Sequence, residues 1–240
     1  MSSKPVLLCL HGWGGSRESF TELRAALKGA DVTVLTPDLP GFGKEPEPRH
    51  PWTVTDYAEW VERFAEKKGI DGGLLLLGHS HGGRIALKVA YRGKVKIQHL
   101  SLCAAAGIRH PKHIRRALGL MIAKPGKLLL SLPVLKQLDG LGKKVLYKLF
   151  RVHDYEEASP VMRETLVNVS KEDLRALLPH IKVPTDIFWG EKDGMTPVSD
   201  AHVMHEQITR SKLPLFPGVR HRVHRDRAKE IAAVIRAALP

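Results

Sequence analysis

The sequence predicts an α/β fold, a doubly wound and mostly parallel sheet of six strands with helices on both faces and an inserted helical cap. Two observations carry this prediction. Apolar runs alternate with stretches of helical spacing over short connections, which is typical of right-handed β-α-β units. The run at residues 74–77 consists of four leucines, and an uninterrupted apolar run of this kind indicates a strand buried on both faces.

The first two predicted strands precede a long loop. The apolar run 6–10 is followed by a glycine-rich loop and then by apolar residues at helical spacing, so a helix is expected with Ser16 as its N-cap and Gly29 at its end. The β-branched run 32–36 is the second strand. The prolines and glycines that follow it predict an irregular loop.

The next elements lead to the centre of the predicted sheet. Thr53 or Thr55 begins a helix that ends at Gly69, because threonine is a favoured N-cap and glycine a favoured C-cap. The strand 74–77 follows and passes within a few residues into the helical pattern 83–90. A tight connection between strand and helix is therefore expected here.

The alternation stops after the fourth predicted strand, residues 97–105. Residues 107–160 show only short helical patterns broken by proline and glycine, and we interpret them as a helical cap, or lid, inserted into the fold. The α/β core then comprises residues 1–106 and 161–240. This division predicts two parts of the chain with different architectures.

The sheet resumes beyond the predicted cap. The run 185–189 is followed by a helix that opens at Thr196 and Pro197, and the run 212–216 is followed by a terminal helix from Asp226. Proline is favoured in the first turn of a helix because its missing N–H has no partner there. These two units bring the predicted strands to six.

The composition is that of an ordinary globular protein in a reducing compartment. Hydrophobic residues make up 43% of the chain and charged residues 26%, and no apolar run approaches the ~18 residues of a membrane span. The amino terminus runs directly into the strand 6–10, which leaves no room for a signal peptide and predicts a cytoplasmic location. Cys9 and Cys103 lie in apolar runs, so no disulfide, metal or cofactor is expected.

The positive charge is concentrated in the predicted cap. The chain carries a formal charge of +13, and residues 109–151 contain eleven basic residues against the single acid Asp139, a balance of +10. A solvated lid surface is the alternative, but such surfaces normally mix both signs. We therefore expect an anionic partner, which is an acyl group on an acidic carrier protein, an acyl-CoA or an anionic membrane surface. No helix-turn-helix, zinc spacing or aromatic RNA-binding pattern points to nucleic acid.

The most informative motif is a serine held between glycines, Gly78-His79-Ser80-His81-Gly82. A predicted strand precedes it and a predicted helix follows it, so the chain must turn sharply. Gly78 and Gly82 allow this turn because a Cβ at either position would collide with neighbouring backbone. Ser80 is then exposed at the edge of the sheet, where we predict that it is a nucleophile.

Two later loops supply the partners that a nucleophilic serine needs. Serine requires an imidazole to take its proton, and the imidazole requires a carboxylate. Asp193 and His221 follow predicted strands, and loops at the carboxyl ends of parallel strands gather at one edge. The chain order Ser80, Asp193, His221 is the order that such folds use. An oxyanion hole needs two backbone N–H groups, and the amides of Trp13 and His81 are the candidates.

Other residues near these loops have plainer interpretations. His79 is expected as a buried histidine at a strand end, and the His81 ring as a pocket wall, rather than as ligands. Asp38 is a second carboxylate or, more simply, an anchor for its own loop. His224 is the alternative base, but it lies close to a predicted helix, whereas His221 lies in a loop. The expected substrate-binding residues are His11, Gly12, Phe42, Met121 and Met195.

Four motifs together resemble the α/β-hydrolase superfamily: His11-Gly12-Trp13-Gly14, Asp38-Leu39-Pro40-Gly41-Phe42-Gly43, Gly78-His79-Ser80-His81-Gly82-Gly83 and Gly190-Glu191-Lys192-Asp193. The resemblance covers the chain outside the cap and is closest to lid-bearing carboxylesterases, including pimeloyl-ester carboxylesterases, and to carbon–carbon bond hydrolases. It implies that Ser80 is the nucleophile, Asp193 the acid and His221 the base. The chain starts at what is the third strand of the family, which implies six parallel strands rather than eight. Two residues depart from the family pattern, Lys44 after Gly-Phe-Gly and Arg222 after the histidine.

The leading function hypothesis is a serine hydrolase of the carboxylesterase type, which cleaves an ester or thioester through an acyl-enzyme. A carbon–carbon bond hydrolase of ring-cleavage products would use the same three residues. A ligand-binding receptor of the same fold is the third hypothesis. An intact set of nucleophile, acid and base favours catalysis, because a pure binder has no need of all three.

Overall fold

The computed structural model describes residues 4–70, 73–109 and 158–239 of the chain. The described residues belong to two compact units. The larger unit draws on residues 1–47, 53–108 and 173–240, and the smaller unit on residues 48–52 and 109–172.

The larger unit is built on a parallel sheet. Its strands are β1 (Val6–Leu10), β2 (Thr33–Leu35), β3 (Leu74–His79), β4 (Ile97–Cys103), β5 (Thr185–Gly190), β6 (Ser211–Lys212) and β7 (Leu215–Phe216). The order across the sheet is β2-β1-β3-β4-β5-β6, with β7 also paired to β5, and every pairing is parallel. The predicted α/β fold with a mostly parallel sheet is confirmed.

The last predicted strand, residues 212–216, is two short strands instead of one. β6 ends at Lys212 and β7 begins at Leu215. Pro214 lies between them and has no N–H with which to continue a ladder. Its carbonyl accepts a hydrogen bond from the Trp189 amide of β5 (3.2 Å). The predicted sixth strand is therefore divided, which gives seven strands among the described residues.

Helices follow most of the strands. Two 3₁₀ helices are described, Arg17–Phe20 and Arg175–His180. The described α-helices are α1 (Thr21–Ala26), α2 (Val54–Lys67), α3 (His81–Arg92), α4 (Pro160–Lys171), α5 (Val198–Gln207), α6 (Val223–Asp226) and α7 (Ala228–Ala237). Ser16 caps the 3₁₀ turn that leads into α1, as predicted, and of the two threonines predicted to begin α2 it is Thr53 that caps the helix. Within the described part of the chain, every helix is too short or too polar to traverse a lipid bilayer.

The core of the larger unit is centred on β3. All six residues of this strand are buried, as its uninterrupted leucines predict. α3 packs on β1, β3 and β4 and against α2. Cys9 in β1 and Cys103 in β4 are buried, and burial raises the pKa of both thiols. They act as small apolar side chains in this core.

The strand order reverses direction between β1 and β3. From β1 the chain moves outward to β2 and then returns to β3 on the other side of β1. In open parallel sheets, ligands bind at the carboxyl ends of strands at such a switch point. The loop after β1 carries Trp13 and the turn after β3 carries Ser80. Two of the predicted site segments therefore start from adjacent strands.

The smaller unit contains α4 and the short segment 48–52. The hydroxyl of Ser159 accepts a hydrogen bond from the Met162 amide (3.2 Å) and caps α4. The Trp52 amide donates to Thr165 Oγ1 (2.9 Å), which joins the segment to the helix. Most of the predicted cap, with Met121 and its basic residues, lies outside the described residues, so the limits 107–160 stay a prediction.

Candidate active site

Ser80 lies at the tip of a sharp turn between β3 and α3. Its φ is 52° and its ψ is −112°, a conformation that costs an L-residue of order 1–3 kcal/mol and is concentrated at functional sites. Among the described non-glycine residues only Ser80 and Ala104 have a positive φ. A Cβ on Gly78 would collide with the Gly82 carbonyl, and one on Gly82 would collide with the Leu10 carbonyl. The two glycines therefore have the role that the sequence predicted.

The main chain of Ser80 is held from the neighbouring strand. Its amide donates to the Cys103 carbonyl at the end of β4 (3.1 Å), and its carbonyl accepts from the Ala106 amide (2.9 Å) and from the Arg84 amide (3.1 Å). These bonds satisfy both polar groups of a strained peptide. They stabilise the turn in the one conformation that presents the side chain at the strand end.

Asp193 and His221 form a buried hydrogen-bonded pair. His221 Nδ1 lies 2.8 Å from Asp193 Oδ2, and the carboxylate side chain is 0% exposed. Because an ionised carboxylate only accepts, Nδ1 carries a proton and donates it to Asp193. Burial acts to raise the pKa of Asp193, but hydrogen bonds from His221, Met195 and Thr196 outweigh it and lower that pKa. Asp193 is therefore ionised, and its hydrogen bond with Nδ1 orients the His221 ring.

His79 connects the serine turn to the histidine loop. Its Nε2 donates to the His221 carbonyl (3.1 Å), and the two ring centroids are 4.9 Å apart. No hydrogen bond between Ser80 Oγ and His221 Nε2 is present in the described structure. Resting enzymes often show long catalytic contacts that tighten with substrate. His79 is buried, as predicted, and burial together with His224 and His221 holds its pKa well below the usual value.

His224 packs against His79 and takes no part in the Asp193–His221 hydrogen bond. It belongs to α6, is 2% exposed, and its ring lies against the His79 ring, tilted by 34° with centroids 3.8 Å apart. Burial, with the nearby Arg225, lowers its pKa to about 3. An imidazole with so low a pKa is a poor proton acceptor at neutral pH.

The loop after β1 is fixed by one buried histidine. His11 Nε2 accepts a hydrogen bond from the Leu39 amide (2.9 Å), so Nδ1 carries the proton and donates to the Gly12 carbonyl (2.8 Å). That carbonyl also accepts from the Gly15 amide (3.0 Å). Because a trans peptide is planar, the Trp13 N–H points opposite to the Gly12 carbonyl. Burial lowers the pKa of His11, which keeps the imidazole neutral.

Two backbone amides near the serine have no acceptor of their own. Gly12 approaches so closely that a Cβ there would lie 3.3 Å from the Ser80 Cβ. His81 is the first residue of α3, where helical N–H groups lack partners. In the described residues, no hydrogen bond uses the amide of Trp13 or of His81. The predicted oxyanion donors are thus unpaired amides on the two segments that flank Ser80.

Aromatic rings pack against one another beside these amides. Trp13 contacts Phe42 edge to face, with centroids 4.9 Å apart, and contacts the His81 ring at 5.3 Å. Tyr57 lies on the other side of His81 at 4.9 Å, and its hydroxyl donates to the Pro40 carbonyl (3.0 Å). His81 is 4% exposed, and its Nε2 has no hydrogen-bond partner among the described residues. Its ring is buried among aromatic side chains, and its role as a pocket wall stays a prediction.

Asp38 anchors its own loop and takes no part in the Asp193–His221 pair. It accepts hydrogen bonds from the Arg17 amide (2.6 Å), from the Arg17 guanidinium (2.9 and 3.1 Å) and from the Lys44 amide (3.0 Å). A Cβ on Gly43, whose φ is 58°, would collide with the Asp38 carboxylate. The plainer of the two interpretations of Asp38 is therefore the one that the structure supports.

The Asp38 anchor makes stability depend on pH. Burial acts to raise the pKa of Asp38, but the hydrogen bonds from Arg17 and Lys44 lower it to about 2, whereas an unfolded aspartate titrates near 3.9. The carboxylate thus stabilises the fold above about pH 4, and this contribution is lost as the pH falls towards 2. Because Arg17 is 45% exposed, we expect Asp38→Asn to lower the free energy of unfolding at pH 7 by roughly 1–2 kcal/mol.

Urea denaturation of the wild type and Asp38→Asn between pH 7 and pH 3 tests this prediction. The difference in the free energy of unfolding is expected to narrow as the pH falls below about 4. Lys44→Ala is the matched control, because its amide remains to bind Asp38 and only an exposed side chain is lost. A difference that stays constant across the pH range would contradict the assigned role.

The remaining predicted residues are placed differently. Met195 is 42% exposed, and its amide, rather than its side chain, reaches Asp193 Oδ1 (2.8 Å). Met121 lies outside the described residues. Arg17, Tyr57 and Thr196 also hold parts of the site in place and were not predicted to do so. Only Thr196 had a local signal, because an aspartate three residues before a threonine is the spacing at which an Asp side chain accepts from nearby amides.

This fold and this arrangement of loops define a class of protein. A model of the alpha/beta hydrolase family matches residues 7–234, so the chain belongs to the alpha/beta hydrolase family. The chain is 30% identical over 242 residues to the pimeloyl-[acyl-carrier protein] methyl ester esterase of Neisseria meningitidis serogroup B, a match that spans 95% of this chain and 90% of that protein. The predicted superfamily and the resemblance to esterases are thereby confirmed.

Solved structures show the same relationship. An esterase of Exiguobacterium antarcticum, EaEST, superposes with a TM-score of 0.76 at 25% identity, covering 99% of this chain and 92% of that one. A thermophilic esterase of Thermogutta terrifontis gives a TM-score of 0.74 at 21% identity, covering 98% and 89%. The second likeness shows the fold alone.

Proposed function

We propose that this protein is a serine hydrolase of the carboxylesterase type, which cleaves an ester or thioester through an acyl-enzyme. Family membership and the esterase relatives support ester hydrolysis. The observation that carries the serine mechanism is the buried Asp193–His221 pair, whose loop is bonded to the residue before the strained Ser80.

In the first half of the proposed reaction, Ser80 Oγ attacks the acyl carbonyl carbon while His221 Nε2 takes the hydroxyl proton. Asp193 stabilises the imidazolium that forms. The negative charge that develops on the carbonyl oxygen is met by the N–H groups of Trp13 and His81, and each such donor is worth ~3 kcal/mol in the transition state. When the tetrahedral intermediate collapses, the alcohol or thiol leaves with the proton from His221.

In the second half, water hydrolyses the acyl-enzyme. His221 takes a proton from the water as its oxygen attacks the acyl carbon, and then returns a proton to Ser80 Oγ as the carboxylic acid leaves. The hydrogen bond between His221 Nδ1 and Asp193 leaves Nε2 as the nitrogen that takes and returns this proton. Phe42 and the rings of Trp13 and His81 would line the acyl group. No cofactor enters the proposed reaction.

The test is a panel of p-nitrophenyl esters and acyl thioesters of graded chain length. An initial burst that releases one equivalent of p-nitrophenol per protein molecule would support an acyl-enzyme on Ser80. Ring-cleavage products of the carbon–carbon type belong in the same panel, because that alternative uses the same three residues. Binding without turnover of any member of the panel would contradict the proposal.

We propose further that the basic cap attracts an anionic substrate, foremost an acyl group on an acidic carrier protein. The support is the formal charge of +10 in residues 109–151 and a relative named for an acyl-carrier-protein ester. An acyl-CoA or an anionic lipid surface would meet the same charge. Location in the cytoplasm, where carrier-linked acyl groups would be met, is part of this proposal.

Salt dependence tests the cap proposal. Charge attraction acts on encounter and is screened within ~8 Å at physiological salt. Activity on an acyl-carrier substrate should therefore fall severalfold between low and moderate salt, while activity on a neutral p-nitrophenyl ester should hardly change. Charge reversal at the four basic residues Arg115, Arg116, Lys143 and Lys144 should remove that dependence. If activity on every substrate is independent of salt and the protein does not bind anionic vesicles, the cap proposal is wrong and the basic residues only form a solvated surface.

A further inference from the structure

Thr196 is a buried residue whose main chain is tied to the sheet. It is 8% exposed, and its carbonyl accepts a hydrogen bond from Nε1 of Trp189 in β5 (3.0 Å). Trp189 itself is fully buried. The position of Thr196 is therefore set by the core rather than by its own loop, which gives its side chain a rigid base.

The same residue contacts both oxygens of the Asp193 carboxylate. Its amide donates to Oδ1 (3.1 Å) and its hydroxyl to Oδ2 (2.8 Å). Two contacts from one rigid residue fix the plane of the carboxylate as well as its location. Oδ2 is also the atom that accepts from His221 Nδ1 (2.8 Å), so the hydroxyl and the imidazole share one acceptor.

The Thr196 hydroxyl also reaches beyond the acid. Its oxygen is 3.3 Å from His221 Nδ1 and 3.3 Å from the Ala104 carbonyl. A hydroxyl has one proton, and the Thr196 hydroxyl donates it in its shortest contact, to Asp193 Oδ2. Its lone pairs then face the Nδ1–H of His221.

Ala104 connects this hydroxyl to the turn that carries the serine. It is the other described non-glycine residue with a positive φ, 47°. Cys103 and Ala106, on either side of it, hold the amide and the carbonyl of Ser80. Thr196 thus touches the acid, the base and the strained strand end beside the nucleophile.

We infer that Thr196 is a positioning residue, whose hydroxyl holds the Asp193–His221 pair in the geometry that proton transfer from Ser80 requires. This inference rests on the proposed serine hydrolysis. The hydroxyl shares the charge of the carboxylate and keeps Oδ2 in line with Nδ1. Thr196 does not touch the reacting atoms, so its effect falls on kcat and not on substrate binding.

The test compares Thr196→Val, which replaces the hydroxyl with a methyl group of similar size, with Thr196→Ser, which keeps it. Removing a hydrogen bond to a charged group should lower kcat about tenfold in Thr196→Val with KM nearly unchanged. Thr196→Ser should restore kcat. Thr196→Ala serves as a second hydroxyl-free variant if Thr196→Val unfolds.

A readout independent of activity keeps the inference separate from the proposed function. The Nδ1 proton of His221 should give a low-field NMR signal in the resting wild type, displaced in Thr196→Val and restored in Thr196→Ser. If the wild type hydrolyses nothing in the ester panel, the proposed function fails while this signal still decides the role of the hydroxyl. Equal behaviour of the valine and serine variants, or no change in either readout, would overturn the inference.

Discussion

Replacing Ser80 with alanine is expected to lower kcat by at least about 10³-fold without unfolding the protein. The loss is large because the proposed acyl-enzyme cannot form without Oγ. The fold should persist because the substitution removes one oxygen, and because Ala104, directly after β4, is already an alanine with a positive φ. Thermal unfolding checks the fold, and ester turnover checks the function.

Labelling with a fluorophosphonate probe adds a direct measurement to this prediction. The probe should modify Ser80 alone, and the modified peptide should be found by mass spectrometry. Ser211 is a matched control, since its hydroxyl also lies beside an imidazole, 2.9 Å from His205 Nδ1. That hydroxyl donates its one proton to the Ile208 carbonyl (2.7 Å), the nearer of two main-chain acceptors, so Ser211→Ala should change neither labelling nor turnover. Labelling at Ser211, or full activity of Ser80→Ala, would refute the assignment.

Replacing His221 with alanine is expected to lower kcat by a similar factor, at least about 10³-fold, whereas the same change at His224 should spare the reaction. Asp193 holds His221 in the tautomer that can accept a proton at Nε2. His224 packs on His79 and Phe20 in the core, and burial lowers its pKa to about 3. Removing the His224 side chain should therefore weaken the packing of the core and leave the reaction largely intact.

The paired measurement is kcat beside the free energy of unfolding for each variant. His224→Ala should lose roughly 1–3 kcal/mol of stability, as is usual for a truncated core side chain, and keep kcat within about tenfold of the wild type at a temperature where it is folded. His221→Ala should show the opposite pattern. If His224→Ala abolishes turnover and His221→Ala leaves it intact, the two roles must be exchanged.

Much of this fold was predictable because it follows from local patterns. Four leucines in succession predict a buried strand, and β3 is buried throughout. Glycines two residues on either side of a serine predict a tight turn, and the backbone contacts of Gly78 and Gly82 show why no other residue fits. The threonine that caps α2 and the serine that caps the turn before α1 are further local signals.

Other features depend on partners that are distant in sequence. Arg17 meets Asp38 across 21 residues, and Tyr57 meets the Pro40 carbonyl across 17. Neither pair has a spacing that any helix or strand would produce. Pro214 was visible in the sequence, but its effect was not, because the division of the last strand depends on which N–H groups the β5 ladder needs.

The sequence by itself determined the class of fold and the candidates for its chemistry, because periodicity, turn residues and chain order are properties of neighbouring residues. It placed Ser80, Asp193 and His221 at strand ends that a parallel sheet must gather at one edge. Only the tertiary structure decided which histidine meets the carboxylate, that Asp38 is an anchor, and that Thr196 touches both Asp193 and His221. Hydrogen-bond geometry and the pKa of a buried group depend on what surrounds that group in space, and in this chain the surroundings come from residues far apart in the sequence.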